Sequence, residues 1–439
     1  MMFPELVYQS YHYNVQPDGL HIAFQFQLNQ QLRFEPTAFI PNRSFLNFNI
    51  PTQQLDLLVF NIGMIELISY WKAYCPPIIR IVPHTLTDQQ ISFWKKLYWN
   101  GLGEFFYVNQ ITTSINDFVT IVANEGTPLT VADFDQIDSR QYLVPVGGGK
   151  DSVVTLELLR SQHPIMPVVM NPRGATIECC KVAGFDRNHF IEIQRTIHPL
   201  LLELNAKGAL NGHTPFSAML AFYTLLIAAL SGKGSIALSN ENSANESTIV
   251  GSTVNHQYSK SIEFENDFRT YVRNYIGTQF NYFSFLRPLS ELQIAKLFSQ
   301  YPAYHQVFKS CNVGSKQDIW CCACPKCLFA FIILSPFLPP DKLKSIFGEN
   351  ILDDTNLTLA FRQLIGVEPT KPFECVGTVA EVHTALRLAL GKYKEHLPLL
   401  LQDFEPDSHY DVPLNSVSDS HNLSLQEIML IRKALDSDI

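Results

Sequence analysis

Apolar and polar residues alternate with a period of two along His21-Ile-Ala-Phe-Gln-Phe-Gln-Leu28, the pattern of a strand with one buried face. Aromatic and β-branched residues stay frequent up to about Gln136, which predicts an antiparallel sheet in the first part of the chain. Helices are predicted over residues 62–74 and 87–99, the second carrying Ile91, Phe93, Trp94, Leu97 and Tyr98 at mixed helical spacing. The pattern changes at Gln141. Short apolar runs at 142–146, 165–170, 190–193 and 235–238 read as strands separated by helices. Strands joined in this way imply a parallel sheet with right-handed crossovers, an α/β fold. One helix begins at Thr214-Pro215, with Thr214 as the expected cap and Pro215 at the first helical position. The apolar run 218–230 is too short for a membrane span, is interrupted by Tyr223 and Thr224, and is predicted to be a buried helix. Phe216, Phe222 and Tyr223 are expected in the core at that spacing.

These changes divide the chain into residues 1–136, an α+β region; 137–300, the parallel-sheet region; and 301–439, a cysteine cluster followed by a mostly helical stretch. An acidic, weakly structured segment is expected around 403–419. In open parallel sheets, ligands bind beyond the C-terminal ends of the strands. Each predicted strand here ends in glycine or polar residues: Gly147 to Ser152, Asn171, Gln194-Arg195, and Ser239-Asn240-Glu241. These ends are expected to converge on one crevice.

The sharpest of them is Tyr142-Leu-Val-Pro-Val-Gly-Gly-Gly-Lys-Asp-Ser152. Glycines let backbone approach a ligand closely, and the next helix offers unpaired N–H groups and a positive dipole end. The feature reads as a phosphate site. It is not a Walker A loop, because Asp151 and not Ser or Thr follows Lys150. It resembles the pyrophosphate loop of the N-type ATP pyrophosphatase (PP-loop) superfamily, usually Ser-Gly-Gly-x-Asp-Ser. Gly147 stands in place of the leading Ser, while Gly148, Gly149, Asp151 and Ser152 match. The resemblance implies an adenine-nucleotide alpha-hydrolase type of sheet and cleavage of ATP between its α and β phosphates, with AMP passed to an oxygen of the substrate.

Composition adds exclusions. A net charge of -9, from 41 acidic and 32 basic residues, argues against broad nucleic-acid binding. The N-terminus carries Glu5 and no apolar signal region, so a cytoplasmic protein without a membrane partner is expected. Nine cysteines in 439 residues do not make a disulfide scaffold. They cluster as Cys311-x9-Cys321-Cys322-x-Cys324-x2-Cys327. Cys311, Cys321, Cys324 and Cys327 could converge on tetrahedral zinc, with Cys322 pointing elsewhere. A reduced thiol cluster that packs a turn is the alternative. The spacing resembles the zinc site of 7-cyano-7-deazaguanine synthases, another PP-loop family. Nothing in the sequence sets an oligomeric state.

Further polar motifs are Gly101-Leu-Gly-Glu-Phe-Phe-Tyr107, Asn205-x2-Gly208-Ala-Leu-Asn-Gly-His-Thr-Pro-Phe-Ser217, Leu238-Ser-Asn-Glu-Asn-Ser-Ala-Asn-Glu246 and Val254-Asn-His-Gln-Tyr-Ser-Lys-Ser261. With the glycine loop and the stretch Trp320 to Phe329, they resemble the ATP-dependent UDP-N-acetyl-α-D-muramoyl-L-alanyl-L-glutamate epimerase family (MurL). The resemblance implies epimerisation of the terminal L-Glu of UDP-N-acetylmuramoyl-L-Ala-L-Glu, in peptidoglycan precursor synthesis. It also implies ATP and Mg2+, an acyl-adenylate intermediate, and AMP and pyrophosphate as products. Gly147, Gly148, Gly149 and Ser152 would donate to the phosphates, joined by Lys150 if it faces inward. Asp151 would orient the loop or Mg2+, and Asn171 would meet the adenosine. Arg195 would hold a phosphate or carboxylate, or else form an ordinary salt bridge. Glu241, and after it Glu246, would bind Mg2+ or transfer a proton. His213 and His256 are the imidazole candidates for proton transfer, each with a purely structural alternative. A PP-loop amide synthase or nucleobase-modifying enzyme shares the loop and cysteines. A tRNA sulfur transferase shares the loop, and a non-catalytic nucleotide-binding protein is the outlying reading.

Overall fold

A computed structural model of the chain describes residues 3–126, 128–246, 248, 255–393 and 396–436. The eleven strands among these residues are β1 (Glu5–Gln16), β2 (Gly19–Gln27), β3 (Arg33–Phe34), β4 (Thr37–Pro41), β5 (Ile78–Ile81), β6 (Thr120–Ala123), β7 (Asp138–Pro145), β8 (Ile165–Met170), β9 (Ile191–Arg195), β10 (Lys233–Leu238) and β11 (Asn281–Ser284). They form one sheet in the order β11-β10-β7-β8-β9-β4-β2-β1-β5-β6, with β3 paired to β2. The four strands predicted from the apolar runs are β7 to β10, and they pair in parallel with β11 at the edge.

The N-terminal strands continue this sheet. The join is antiparallel, with Ala38 opposite Arg195 and Phe39 opposite Gln194. The expected antiparallel arrangement holds for β1, β2 and β4, but β5 and β6 run parallel to β1. The reason lies in the connection: the helix Thr52–Trp71 crosses from β4 to β5, and a crossover brings a strand back in the same direction. That helix begins ten residues before its predicted start. Gln54 and Asp56 interrupt the apolar pattern there, although Gln54 is buried and its amide donates to the Asp133 carbonyl.

Side chains of the parallel strands alternate between two cores. Leu143, Val168 and Ile236 point into one, with the helices Thr52–Trp71 and Phe216–Ser231. Val144, Val169 and Ala237 point into the other, with Lys150–Arg160, Glu291–Ser299, Pro325–Leu334 and Val379–Leu390. Helices on both faces are what a buried parallel sheet requires. The helix Phe216–Ser231 is buried as expected, but its start differs from the prediction. Pro215 occupies the cap position, and the Thr214 hydroxyl accepts a hydrogen bond from Lys72 at 2.6 Å instead of capping. Thr87 does cap the helix Asp88–Gly101, in a reciprocal pair with Gln90. Segment 402–424 carries no helix or strand, in line with the weak pattern there. Among the described residues, no helix is long and apolar enough to cross a membrane.

Candidate functional site

The glycine run leaves β7 and opens the helix Lys150–Arg160, with Gly149 as its cap residue in extended geometry. Gly148 has φ +82°, and a Cβ there would lie 3.0 Å from backbone atoms of Ala175 and Thr176. A side chain is therefore excluded on two counts. A Cβ on Gly147 would meet nothing within 4 Å. The loop is covered by the segment leading into the cysteine cluster: Lys309 N–H donates to the Gly148 carbonyl at 2.9 Å. The Ser310 hydroxyl sits 2.8 Å from where a Gly149 Cβ would be.

These contacts enclose a cleft of about 570 Å³ at the C-terminal ends of β7, β8 and β10. Gly147, Gly149, Asp151, Ser152, Asn171, Phe216 and Asn240 line it, together with Lys260, Lys309, Lys326 and Cys375. The expected convergence of strand ends is thus observed for three of the four. Asn171 sits at φ +49° and exchanges two hydrogen bonds with the Arg195 backbone, at 2.7 and 3.0 Å.

The Arg195 side chain is committed elsewhere. Its guanidinium forms a two-pronged pair with Glu66 at 2.6 and 2.7 Å, and Tyr223 donates to the same carboxylate at 2.9 Å. Arg195 therefore closes the seam between β9 and the N-terminal helix, and is not among the cleft-lining residues. Lys150 is likewise not among the cleft-lining residues, and is buried between Asp151 and Glu291 instead of joining the phosphate donors. Phe216 departs from the core expectation: it is 49% exposed at the cleft, while Phe222 and Tyr223 are buried. Glu246 pairs with Lys371 at the surface. Of the motif at 254–261, Val254 lies outside the described residues.

Oxygen ligands gather below the loop. Carboxylate oxygens of Asp151, Glu241 and Glu291 lie within 4.8 Å of one another. Burial pushes Glu241 up and Glu291 up to about 7. Burial opposes the Asp151 charge too, but Lys150 wins and holds that carboxyl below its ordinary range. Lys150 lies against both Asp151 and Glu291, and the three carboxylates form a set of hard oxygen donors suited to a cation such as Mg2+, of which Asp151 lines the cleft.

The cysteine sulfurs are closer to a metal geometry. Zinc bonded to sulfur at about 2.3 Å sets the edges of its tetrahedron at about 3.8 Å. Cys311 to Cys324, Cys321 to Cys327, and Cys324 to Cys327 are 3.9, 3.8 and 3.5 Å apart. Cys322 takes φ +54° and points its thiol to the Phe347 carbonyl at 3.1 Å. Four thiols in this arrangement fit zinc by donor type and spacing. The cluster anchors the Lys309-Ser310-Cys311 segment that covers the glycine loop.

A third cluster joins both imidazole candidates. His256 Nδ1 is paired with Glu104 Oε2, His213 Nδ1 lies 3.6 Å from the same oxygen, and the two rings are 4.4 Å apart. Burial, with His256 and Lys72 nearby, lowers His213 to about 3. Burial also opposes the charge on His256, but Cys375 and Glu104 beside it raise it to about 9. At neutral pH one imidazole is neutral and the other charged.

Comparison with known proteins bears directly on this arrangement. The MurL N-terminal domain model matches residues 2–285, and the MurL C-terminal domain model matches residues 307–407. The chain belongs to the MurL family. A relative from Salinispora tropica named UDP-N-acetyl-alpha-D-muramoyl-L-alanyl-L-glutamate epimerase is 37% identical, covering 73% of this chain and 70% of that one. A relative of the same name from Xanthomonas oryzae pv. oryzae is 34% identical, covering 84% and 83%. No solved structure matches the chain. The MurL N-terminal match supplies the glycine loop, Asn171, Glu241, His213 and His256. The MurL C-terminal match supplies Lys309, the cysteine cluster, Lys326 and Cys375. The cleft therefore forms where the two MurL domains meet.

Glu291, Lys260, Lys309, Lys326, Cys375 and Glu104 were not legible as site residues in the sequence. Glu104 and Lys260 sit inside polar motifs, Gly101 to Tyr107 and Val254 to Ser261, whose density was the available signal. Cys375 is a lone cysteine with no spacing to mark it.

Proposed function

We propose that this chain epimerises the terminal L-Glu of UDP-N-acetylmuramoyl-L-Ala-L-Glu to D-Glu, using ATP through an acyl-adenylate, in the cytoplasm. The observation that carries the reading is the cleft itself. A glycine loop at a helix N-terminus and three lysines line it together, in a chain whose relatives are named for this epimerisation. Such a cleft suits a polyanionic nucleotide and an acidic substrate.

The chemistry requires activation first. The α-proton of a free carboxylate is very weakly acidic, because its loss places a second negative charge beside the first. Joining the carboxylate to AMP removes that charge and allows enolate delocalisation. In this reading the Gly147 and Gly149 backbone and Ser152 hold phosphate oxygens, and Lys309 and Lys326 offset the charge of the leaving pyrophosphate. Asn171 and Phe216 bound the side of the cleft that would take the nucleoside. Asp151, with Glu241 behind it, would hold Mg2+, which neutralises phosphate charge when bound. Zinc at the four cysteines would fix the covering segment. The loop, the parallel sheet and the strand-end site together support a PP-loop type of fold.

Phosphorus NMR of the purified protein tests the activation step. AMP and pyrophosphate should form from ATP only when the UDP-muramoyl dipeptide is present. ADP and orthophosphate would overturn the reading. AMP formation driven by another acid, with an amide as product, would move the chain to the amide-synthase class.

A further inference from the structure

A two-faced exchange at Cα needs a group that accepts a proton within reach of the activated carboxyl. Few of the cleft-lining residues qualify. Asp151 is paired with Lys150 at 2.5 Å. Asp318 accepts from Gly174 and Ala175 N–H at 2.8 and 2.9 Å. Lys326 donates to the Cys375 carbonyl and Lys309 to the Gln306 and Phe308 carbonyls. Burial opposes the Lys260 charge, but Cys375 and Glu241 outweigh it and hold that ammonium above its ordinary range. Glu241, His213 and His256 are not among the lining residues. Cys311 lines the cleft too but belongs to the four-thiol cluster, so Cys375 remains, half-buried beside Lys326.

Its surroundings are built. Lys326 donates to the Cys375 carbonyl, and Gln257 donates to the next carbonyl, Val376, at 3.3 Å. His256 and Lys260 stand beside the thiol, and Glu104 Oε2 is paired with His256 Nδ1. Glu374, the preceding residue, has its carboxylate turned to Asn312 at 2.7 Å. Resting on the function proposed above, we propose that Cys375 is the catalytic residue that takes the α-proton of the activated glutamyl group, with His256 as its positioning residue.

In this step the Cα–H bond breaks and an S–H bond forms, while the electron pair moves into the acyl-adenylate carbonyl as an enolate. The enolate takes a proton from water on its other face, and the thiol returns its proton to water. Burial opposes the thiolate, but Lys260, His256 and Lys326 outweigh it and hold Cys375 down to about 5. The charged form is the nucleophilic and basic one. His256 thus serves as the cation beside the base, a role its pairing with Glu104 favours.

The test compares Cys375→Ala with wild type in D2O, reading deuterium at the Glu α-carbon and, separately, exchange of labelled pyrophosphate into ATP. The variant should lose α-exchange by about 10² or more while pyrophosphate exchange falls less than about tenfold. In wild type, iodoacetamide should label Cys375, located by peptide mass spectrometry. Labelling should be slowed by ATP plus dipeptide, with α-exchange lost in step, and this arm needs no variant to fold. In His256→Asn the pH midpoint of that labelling should rise by about one unit or more, a shift that a merely structural role would not give. Exchange that survives complete modification or removal of Cys375 overturns this inference alone. Wild type that neither makes pyrophosphate nor exchanges the α-proton overturns the proposed function, and this role with it.

Discussion

Lys150 buries its ammonium against the carboxylate of Glu291, 141 residues further along the chain. The lysine that follows the glycines is thereby part of the scaffold that holds the loop to the helix Glu291–Ser299, with Asp151 between it and the cleft. Lys150→Met leaves Glu291 buried without its partner. At pH 8 it should destabilise the protein by about 3–5 kcal/mol in urea unfolding. Burial already pushes Glu291 up to about 7 from its ordinary 4.5, so at pH 5 the variant should protonate it and recover part of the loss. A change below about 1 kcal/mol at pH 8 would place this pair among those of no consequence.

Glu381 gives a pH dependence of its own. It accepts from the Glu291 N–H at 2.6 Å, and burial, with Glu291 nearby, pushes it up to about 7. A carboxyl raised on folding contributes stability that is complete below its unfolded value of 4.5 and is lost as pH rises through about 7. Glu381→Gln cannot titrate. Relative to that variant, wild type should lose up to about 3 kcal/mol between pH 4.5 and 8 in denaturant melts. A difference that stays flat across this range contradicts the assignment.

The glycine loop separates two neighbouring substitutions. Gly148→Ala forces a Cβ to within 3.0 Å of backbone at φ +82°, and should cost about 1–2 kcal/mol and depress pyrophosphate release. Gly147→Ser points into open space and restores the serine usual in PP-loops, so it should be near neutral for stability and retain pyrophosphate release. Asp151→Asn should lower the rate about 10²–10³-fold. Equal effects of the two glycine changes would remove the loop from the site.

The cysteine cluster should carry about one zinc per chain by elemental analysis of anaerobically purified protein. Cys324→Ser should lose that metal and lower the unfolding temperature, because structural zinc contributes folding free energy. Active protein with no bound zinc contradicts the site.

Much of the parallel sheet was legible because a one-residue alternation and a strand-to-helix glycine turn are local signals. Leu143 and Val144 face opposite cores for that reason. The parallel run of β5 and β6 was not legible, since strand direction depends on which edge a crossover returns to. Site residues followed the same division. Gly147, Asp151, Ser152 and Asn171 are carried by strand ends and reach the cleft. Arg195 also ends a strand, yet it turns to Glu66, 129 residues earlier, a partner that no local pattern reveals. Glu104 binds His256 across 152 residues, and Cys375 enters the cleft from the C-terminal region. Such long-range pairings are products of topology, not of spacing.

The central claim is that ATP makes the glutamyl α-proton removable. Purified protein incubated with UDP-N-acetylmuramoyl-L-Ala-L-Glu, ATP and Mg2+ in D2O, followed by chiral and mass analysis of the released Glu, tests it most directly. The expected product is D-Glu with one deuterium at Cα, with no exchange when ATP is omitted. Recovery of L-Glu alone after long incubation, or exchange at the same rate without ATP, would contradict it.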